Sequence, residues 1–354
     1  MVKIPLKKPS AIKDSRSPKG RRATGRVTLA DVALEAGVSP ITASRSLRGD
    51  APVSLEVRAK VKAAADKLGY VPDPAARALA SARGASIVVL VPMITNMVFV
   101  DLIESVHDVL SPAGYQPLIG ITHYDPAQEE KLIRSYLAHR PAGFLVTGFD
   151  RTEAARRLLA DSGAPCIHLM EVTDANGIYS VGFSQADASA AMTEHLISRG
   201  YKRIAFAAAQ LDPRTLQRAE GYRRVMRAAK RYDPSLEILS ADRSSIALGS
   251  ELLAQALKRK PKPDAIFFCN DDLAQGGVLA ARRRNIDVPE TLAIAGFNDL
   301  NGSDQMLPPL TTIRTPRAAI GRAAAMMMLD LLRGKVVETT GLDLGYELIL
   351  RAST

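Results

Sequence analysis

No stretch of this 354-residue sequence approaches the 18 or more apolar residues of a membrane span, and its start carries Lys and Pro where a secretory signal needs an apolar run. Neither export nor membrane insertion is expected; a cytoplasmic location is. Cysteine is scarce. Cys166 and Cys269 lie far apart inside the apolar runs APCIHLM and AIFFCND, which reads as two buried free thiols in a reducing compartment. CxxC, HExxH and a Walker-type phosphate loop are all missing, so neither a metal nor a cofactor is expected. The five histidines (His107, His123, His139, His168, His195) are scattered and no nucleophile motif accompanies them, which argues against an enzyme.

Positive charge is what the sequence has in excess: 47 Lys and Arg against 37 Asp and Glu, a formal +10. Its distribution is uneven. The first 83 residues hold 17 basic and 7 acidic side chains, whereas the remaining 271 hold 30 of each. A basic head therefore precedes a body of zero net charge, and the head points to a polyanionic partner. Residues 1–26 mix Lys and Arg with Pro5, Pro9, Pro18, Gly20, Gly25 and several serines without apolar periodicity, the composition of a disordered basic tail.

Order is expected from Thr28. Thr28 and Asp31 form a capping pattern, Leu29, Val32, Ala33 and Ala36 share one helical face, and Gly37 ends the helix. Ser39 caps a second helix, Pro40 to Leu47, with Pro at its first position. Two such helices joined by Gly37-Val38-Ser39 make a helix-turn-helix. A third helix runs from capping Ser54 to Leu68, with Val57, Val61, Ala64 and Leu68 inward and Gly69 as its stop.

The run VTLADVALEAGVSPITASRSLRGDAPVSLEVRAKVKAAADKLGYVPDPAARALA, residues 27–80, resembles without a gap the DNA-binding head of the family that includes the lactose and purine repressors. The resemblance implies that the second helix lies in the major groove, with Pro40, Ile41 and Arg45 facing bases. Arg can pair with guanine in bidentate fashion, while Pro40 and Ile41 offer apolar contact. Thr28, Ser39, Thr42, Ser44 and Arg48 take the family's backbone-positioning places. Ala43 departs from the family's usual Val and makes a smaller core plug. The segment 74–84 resembles the family's hinge helix, in which Leu79 matches the leucine that wedges between base steps in the minor groove. Asp73 and Pro74 replace the usual Asn-Arg there and remove a cation beside phosphate.

From Ala85 onward, β-rich runs at 86–92, 115–121, 142–148, 166–170, 179–183, 203–209, 264–270 and 292–297 alternate with amphipathic stretches, and GYELILR ends the chain as a further strand. This alternation predicts an α/β body of parallel sheets covered by helices, with ligands bound beyond the carboxyl ends of the strands. The body resembles the two-lobed periplasmic-binding-protein fold that the family uses for effectors. The domains expected are a tail (1–26), a helix-turn-helix head (27–73), a hinge (74–84) and an effector-binding and dimerisation body (85–354). The body's N-lobe would comprise about 85–182 and 315–333, its C-lobe 183–311 and 334–354.

The same resemblance nominates the cleft residues: Asn96 and Phe99 after the first strand, Glu171 at an acidic position used for sugar hydroxyls, Arg218 at the effector-binding arginine with Arg214 beside it, and Asn270, Asn298 and Asp299 at strand ends. Asn298 stands where many sugar-responsive relatives have Asp. A neutral amide removes one repulsion against an anion, and Arg214 and Arg218 could pair with a carboxylate. LMEV, LDPRT, CNDDLA, IAGF and LDLGYELIL resemble repressors of gluconate utilisation. The expectation is a homodimeric repressor of sugar-acid catabolism genes, reading a roughly palindromic operator under control of gluconate, a related sugar acid or its phosphate. A same-family sensor of a neutral sugar or nucleoside is the alternative reading, and a sugar-acid enzyme fused to a DNA-binding head a more distant one.

Overall fold

The computed structural model describes residues 27–48, 53–71, 84–95 and 97–354, with Arg48 described in its backbone only. They belong to two compact units that divide at residues 77 and 78. The expected tail, Leu79 with most of the hinge, and Asn96 lie outside the described residues.

The first unit comprises α1 (Leu29–Ala36), α2 (Pro40–Arg48) and α3 (Leu55–Leu68). Thr28 and Asp31 form a capping box on α1, and Gly37, at φ 67°, closes it in the left-handed conformation that lets the Val38 amide reach the Ala33 carbonyl at 3.0 Å. Ser39 Oγ accepts from the Thr42 amide at 3.2 Å, and Ser54 Oγ accepts from the Val57 amide at 3.3 Å. Each cap is worth about 1 kcal/mol to a helix this short. Val32, Ala33, Ala43, Val61, Ala64 and Ala65 make the core. The substituted plug, Ala43, is fully buried.

The second unit contains two parallel sheets. The first has the order β2-β1-β3-β4-β5-β11, from β1 (Ser86–Val91), β2 (Gln116–Ile121), β3 (Gly143–Thr147), β4 (Cys166–Leu169), β5 (Tyr179–Gly182) and β11 (Gly341–Asp343). The second has the order β7-β6-β8-β9, from β6 (Ile204–Ala209), β7 (Glu237–Ser240), β8 (Ala265–Phe268) and β9 (Ala293–Ala295). β10 (Thr312–Arg314) and β12 (Glu347–Ile349) form an antiparallel pair. Central strands such as β6, and β1 after Ser86, are apolar throughout because helices cover both their faces. Those helices are α4 (Met97–Leu110), α5 (Pro126–Leu137), α6 (Glu153–Asp161) and α11 (Arg317–Leu332) in the N-lobe, and α7 (Gln185–Ser198), α8 (Pro213–Ala228), α9 (Ile246–Ala256) and α10 (Asp271–Arg283) in the C-lobe.

One expected crossing moves. The chain does not stay in the C-lobe from residue 334: β11 pairs with β5 in the register Gly341↔Ser180, Leu342↔Val181, Asp343↔Gly182, so the last return to the C-lobe comes after Asp343. β7 is a further strand that the sequence reading lacked.

α7 and α8 pack so closely that a Cβ on Gly221 would stand 2.0 Å from the Ala186 carbonyl oxygen, a backbone atom that cannot swing away. Gly221→Ala should therefore lower stability by about 1–3 kcal/mol, read as a shift in the denaturant midpoint. Both cysteines are free, Cys269 buried and Cys166 half-buried, and burial pushes both thiols up to about 12. No helix among the described residues is long and apolar enough to cross a membrane.

Candidate functional site

On α2 the buried side is set by Ala43 and Ser46, which leaves Pro40, Ile41 and Arg45 exposed. Ile41, at 66 % exposure, and Arg45 are four residues apart and share a face. An isoleucine held in water on so small a unit, beside an exposed guanidinium, fits an apolar-plus-bidentate contact with base edges. Ser39 and Thr42 share a hydroxyl hydrogen bond of 2.9 Å at the start of α2, the end at which the helix dipole favours phosphate. Thr28 is committed to its own cap, and Ser44 is half-buried on the Ile41–Arg45 side.

In the body, the carboxyl ends of both sheets face a cavity lined by Phe99, Tyr124, Met170, Asp212, Arg214, Arg218, Asn270 and Asn298 among others. A second, smaller polar cavity adjoins it, sharing Tyr124 and Arg214 and adding Glu129 and Asp150. Phe99 does double duty: it is 3 % exposed, part of the N-lobe core, and its ring edges the cavity.

The two arginines are in opposite electrostatic states. Arg214, at the start of α8, holds three carboxylates: Nη1 donates to Asp150 Oδ1 at 3.0 Å and to Glu171 Oε2 at 3.1 Å, and Nε pairs with Asp212 Oδ1 at 3.0 Å. Burial works against its charge, but Asp212, Asp150 and Glu171 outweigh it and hold the guanidinium more firmly protonated than usual. Gln217 Nε2 occupies the other Glu171 oxygen at 2.7 Å. Asp150 and Glu171 follow N-lobe strands and Arg214 belongs to the C-lobe, so the cluster ties the lobes together.

Arg218, one turn further along α8, is 5 % exposed and its hydrogen bonds go to neutral acceptors: Gln185 Oε1 at 2.9 Å, the Cys269 carbonyl at 2.7 Å and Asn270 Oδ1 at 2.8 Å. Its guanidinium stacks 3.9 Å over the Phe297 ring. Burial lowers its pKa below the usual arginine value. Beside it, Asn298 Nδ2 donates to Asn270 Oδ1 at 3.0 Å, and Asn298 Oδ1, buried, has no partner. Asn298 sits at φ 108°, and its carbonyl accepts from Arg317, which also binds Asp101 of α4 at 2.9 Å. A buried guanidinium whose hydrogen-bond partners are neutral thus stands next to a buried acceptor that has no partner.

Two expectations change. Asp299 does not line the cavity: its carboxylate is taken by Arg314 and Arg351, both at 2.8 Å, because the chain turns away at left-handed Asp299. Arg214 is already engaged by carboxylates and is not available to a second anion as Arg218 is. Tyr124, Asp150, Asp212, Gln185 and Phe297 were not singled out from the sequence, although Tyr124 and Asp150 follow strands β2 and β3 and the strand-end rule would have found them.

A family model described as "Bacterial regulatory proteins, lacI family" matches residues 28–73, and one described as "Periplasmic binding protein-like domain" matches residues 193–354. The HTH-type transcriptional regulator GntR of Pseudomonas aeruginosa is 54 % identical over 340 residues, 96 % of this chain and 99 % of that one. The crystal structure of the transcription regulator GntR from Chromobacterium violaceum is 46 % identical and superposes with a TM-score of 0.74 over 76 % of this chain and 98 % of that one. The lac repressor dimer bound to operator is 26 % identical and superposes with a TM-score of 0.81 over 93 % of this chain and 99 % of that one. With the reading helix, the two-lobed cleft and these similarities together, the chain belongs to the LacI family of DNA-binding bacterial transcriptional regulators.

Proposed function

We propose that this regulator represses sugar-acid catabolism genes as a homodimer on a roughly palindromic operator, and that a gluconate-like acid in the interlobe cavity lowers its operator affinity. The observation that carries the effector class is Arg218, a buried guanidinium whose hydrogen-bond partners are neutral, set against an unpaired Asn298 oxygen. The ligand's carboxylate would pair with Arg218 and its adjacent hydroxyl would donate to Asn298. Its remaining hydroxyls would run toward Asp150, Asp212 and Glu171, whose oxygens suit hydroxyl donors. A neutral sugar would satisfy those acids and leave Arg218 uncompensated, so it is the poorer fit.

A thermal-shift screen of gluconate, ketogluconates, their phosphates and neutral hexoses tests this. An acid at 100 times its Kd should stabilise the body by about 2.7 kcal/mol and raise its melting point by roughly 5–10 °C, while glucose should not. A shift with hexoses and none with sugar acids would reverse the assignment. Gel shift with the chain's own upstream DNA tests the regulator itself: binding that does not survive competitor DNA would sink it.

A further inference from the structure

The body's zero net charge hides a strong separation. In the C-lobe, the segments 199–203, 227–233, 258–264 and 282–290 carry 13 basic and 4 acidic side chains. The rest of the body therefore carries 17 basic and 26 acidic. The topology gathers these four segments at one pole. In a parallel sheet covered by helices, strand starts and helix ends lie at the same edge, and these segments follow α7, α8, α9 and α10 or precede β6, β8 and β9. Hydrogen bonds stitch the first three together: Arg203 Nε donates to the Lys262 carbonyl at 2.5 Å, Arg231 to the Tyr201 carbonyl at 3.2 Å, and the Lys202 amide to Asp264 at 3.1 Å. This pole is opposite the strand ends that line the cavity.

Helix dipoles account for part of the excess, since cations are favoured in last turns. They do not account for Lys202, Arg203, Lys260 and Lys262, which stand before strands and are exposed. Of these four only Arg203 has a carboxylate partner, Asp264 at 3.6 Å, among the ion pairs of the described residues, and elsewhere in the segments Arg227 pairs with Glu220 at 3.4 Å. The large apolar side chains that stand exposed elsewhere on the chain are missing from all four segments. A protein interface would need such anchors at its centre, whereas a phosphate backbone needs only spread positive charge. The three layers of helix, sheet and helix make a pole on the order of 20–30 Å across, close to one duplex turn with its roughly 20 phosphates.

We infer that this C-lobe pole is a second, sequence-independent binding surface for duplex DNA, separate from the head, so that a protein seated on its operator can hold another DNA segment. The test uses the full chain bound to an immobilised operator fragment and a labelled duplex that lacks the operator. Wild type should capture the labelled duplex at low salt. Lys202→Glu, Lys258→Glu, Lys260→Glu and Lys262→Glu together should reduce capture at least tenfold, with the melting point and operator gel shift unchanged. The four Gln substitutions should give an intermediate loss and lower the slope of log affinity against log salt by about 3. Capture that persists in both variants would assign it to the basic head or tail and overturn the inference. So would the absence of capture by wild type, or binding of poly-glutamate without binding of DNA, which would indicate an acidic protein instead.

Discussion

Arg218→Met is expected to produce a repressor that still binds its operator and is no longer released when gluconate is added. The substitution keeps length and apolar volume but removes the one buried cation, among the described residues, whose contacts are neutral. Truncating one side of a desolvated charge pair costs about 2–5 kcal/mol of binding, so the effector Kd should rise about 30-fold to several thousand-fold. Stability should change little by comparison. Burial already opposes the Arg218 charge in the empty cavity, and removing it relieves that penalty while Gln185, Cys269 and Asn270 lose one donor. Arg218→Lys separates charge from shape: a single ammonium cannot reproduce the fork, so affinity should fall between wild type and Met. Isothermal titration with gluconate and gel shift with and without it read both effects. Unchanged gluconate affinity in Arg218→Met would remove the carboxylate assignment.

How far the sequence revealed this site depended on how local each signal was. The head was legible almost to the residue, because Thr28, Gly37, Ser39, Ser54 and Gly69 set helix limits through contacts within a few residues. Eight strands, β1 to β6, β8 and β9, were legible as apolar runs. β7 was not, since it is an edge strand that starts on Glu237, and neither β10 nor β11 was, since Thr-Ile-Arg and Gly-Leu-Asp have no apolar run and are defined by their pairing with β12 and β5. Arg214 and Arg218 looked equivalent as two cations one turn apart. What separates them is supplied from distant loops: Asp150 and Glu171 reach the first, and the neutral Gln185 and Asn270 reach the second. Asp299 followed its neighbour by analogy, and the turn in the backbone sent it to Arg314 and Arg351 instead.

That difference makes Arg214→Met the counterpart with the largest expected effect on stability. Removing this guanidinium leaves Glu171, 7 % exposed, and Asp212, 11 % exposed, without their cation, and Asp150 at 25 % keeps some solvent screening. Breaking a buried ion pair from one side costs about 3–5 kcal/mol, which for a unit of this size lowers the melting point by on the order of 10 °C. Because Asp150 and Glu171 belong to one lobe and Arg214 to the other, the loss also falls on the contact between them. Neutralising the stranded acids should recover part of it: Glu171→Gln added to Arg214→Met should melt higher than Arg214→Met alone, whereas Glu171→Gln in wild type should melt lower than wild type. This reversal of sign is a coupling energy that only residues sharing one network produce. Calorimetry on the four proteins of the cycle measures it, and purely additive shifts would show that Arg214 and Glu171 are not the linked pair that joins the lobes.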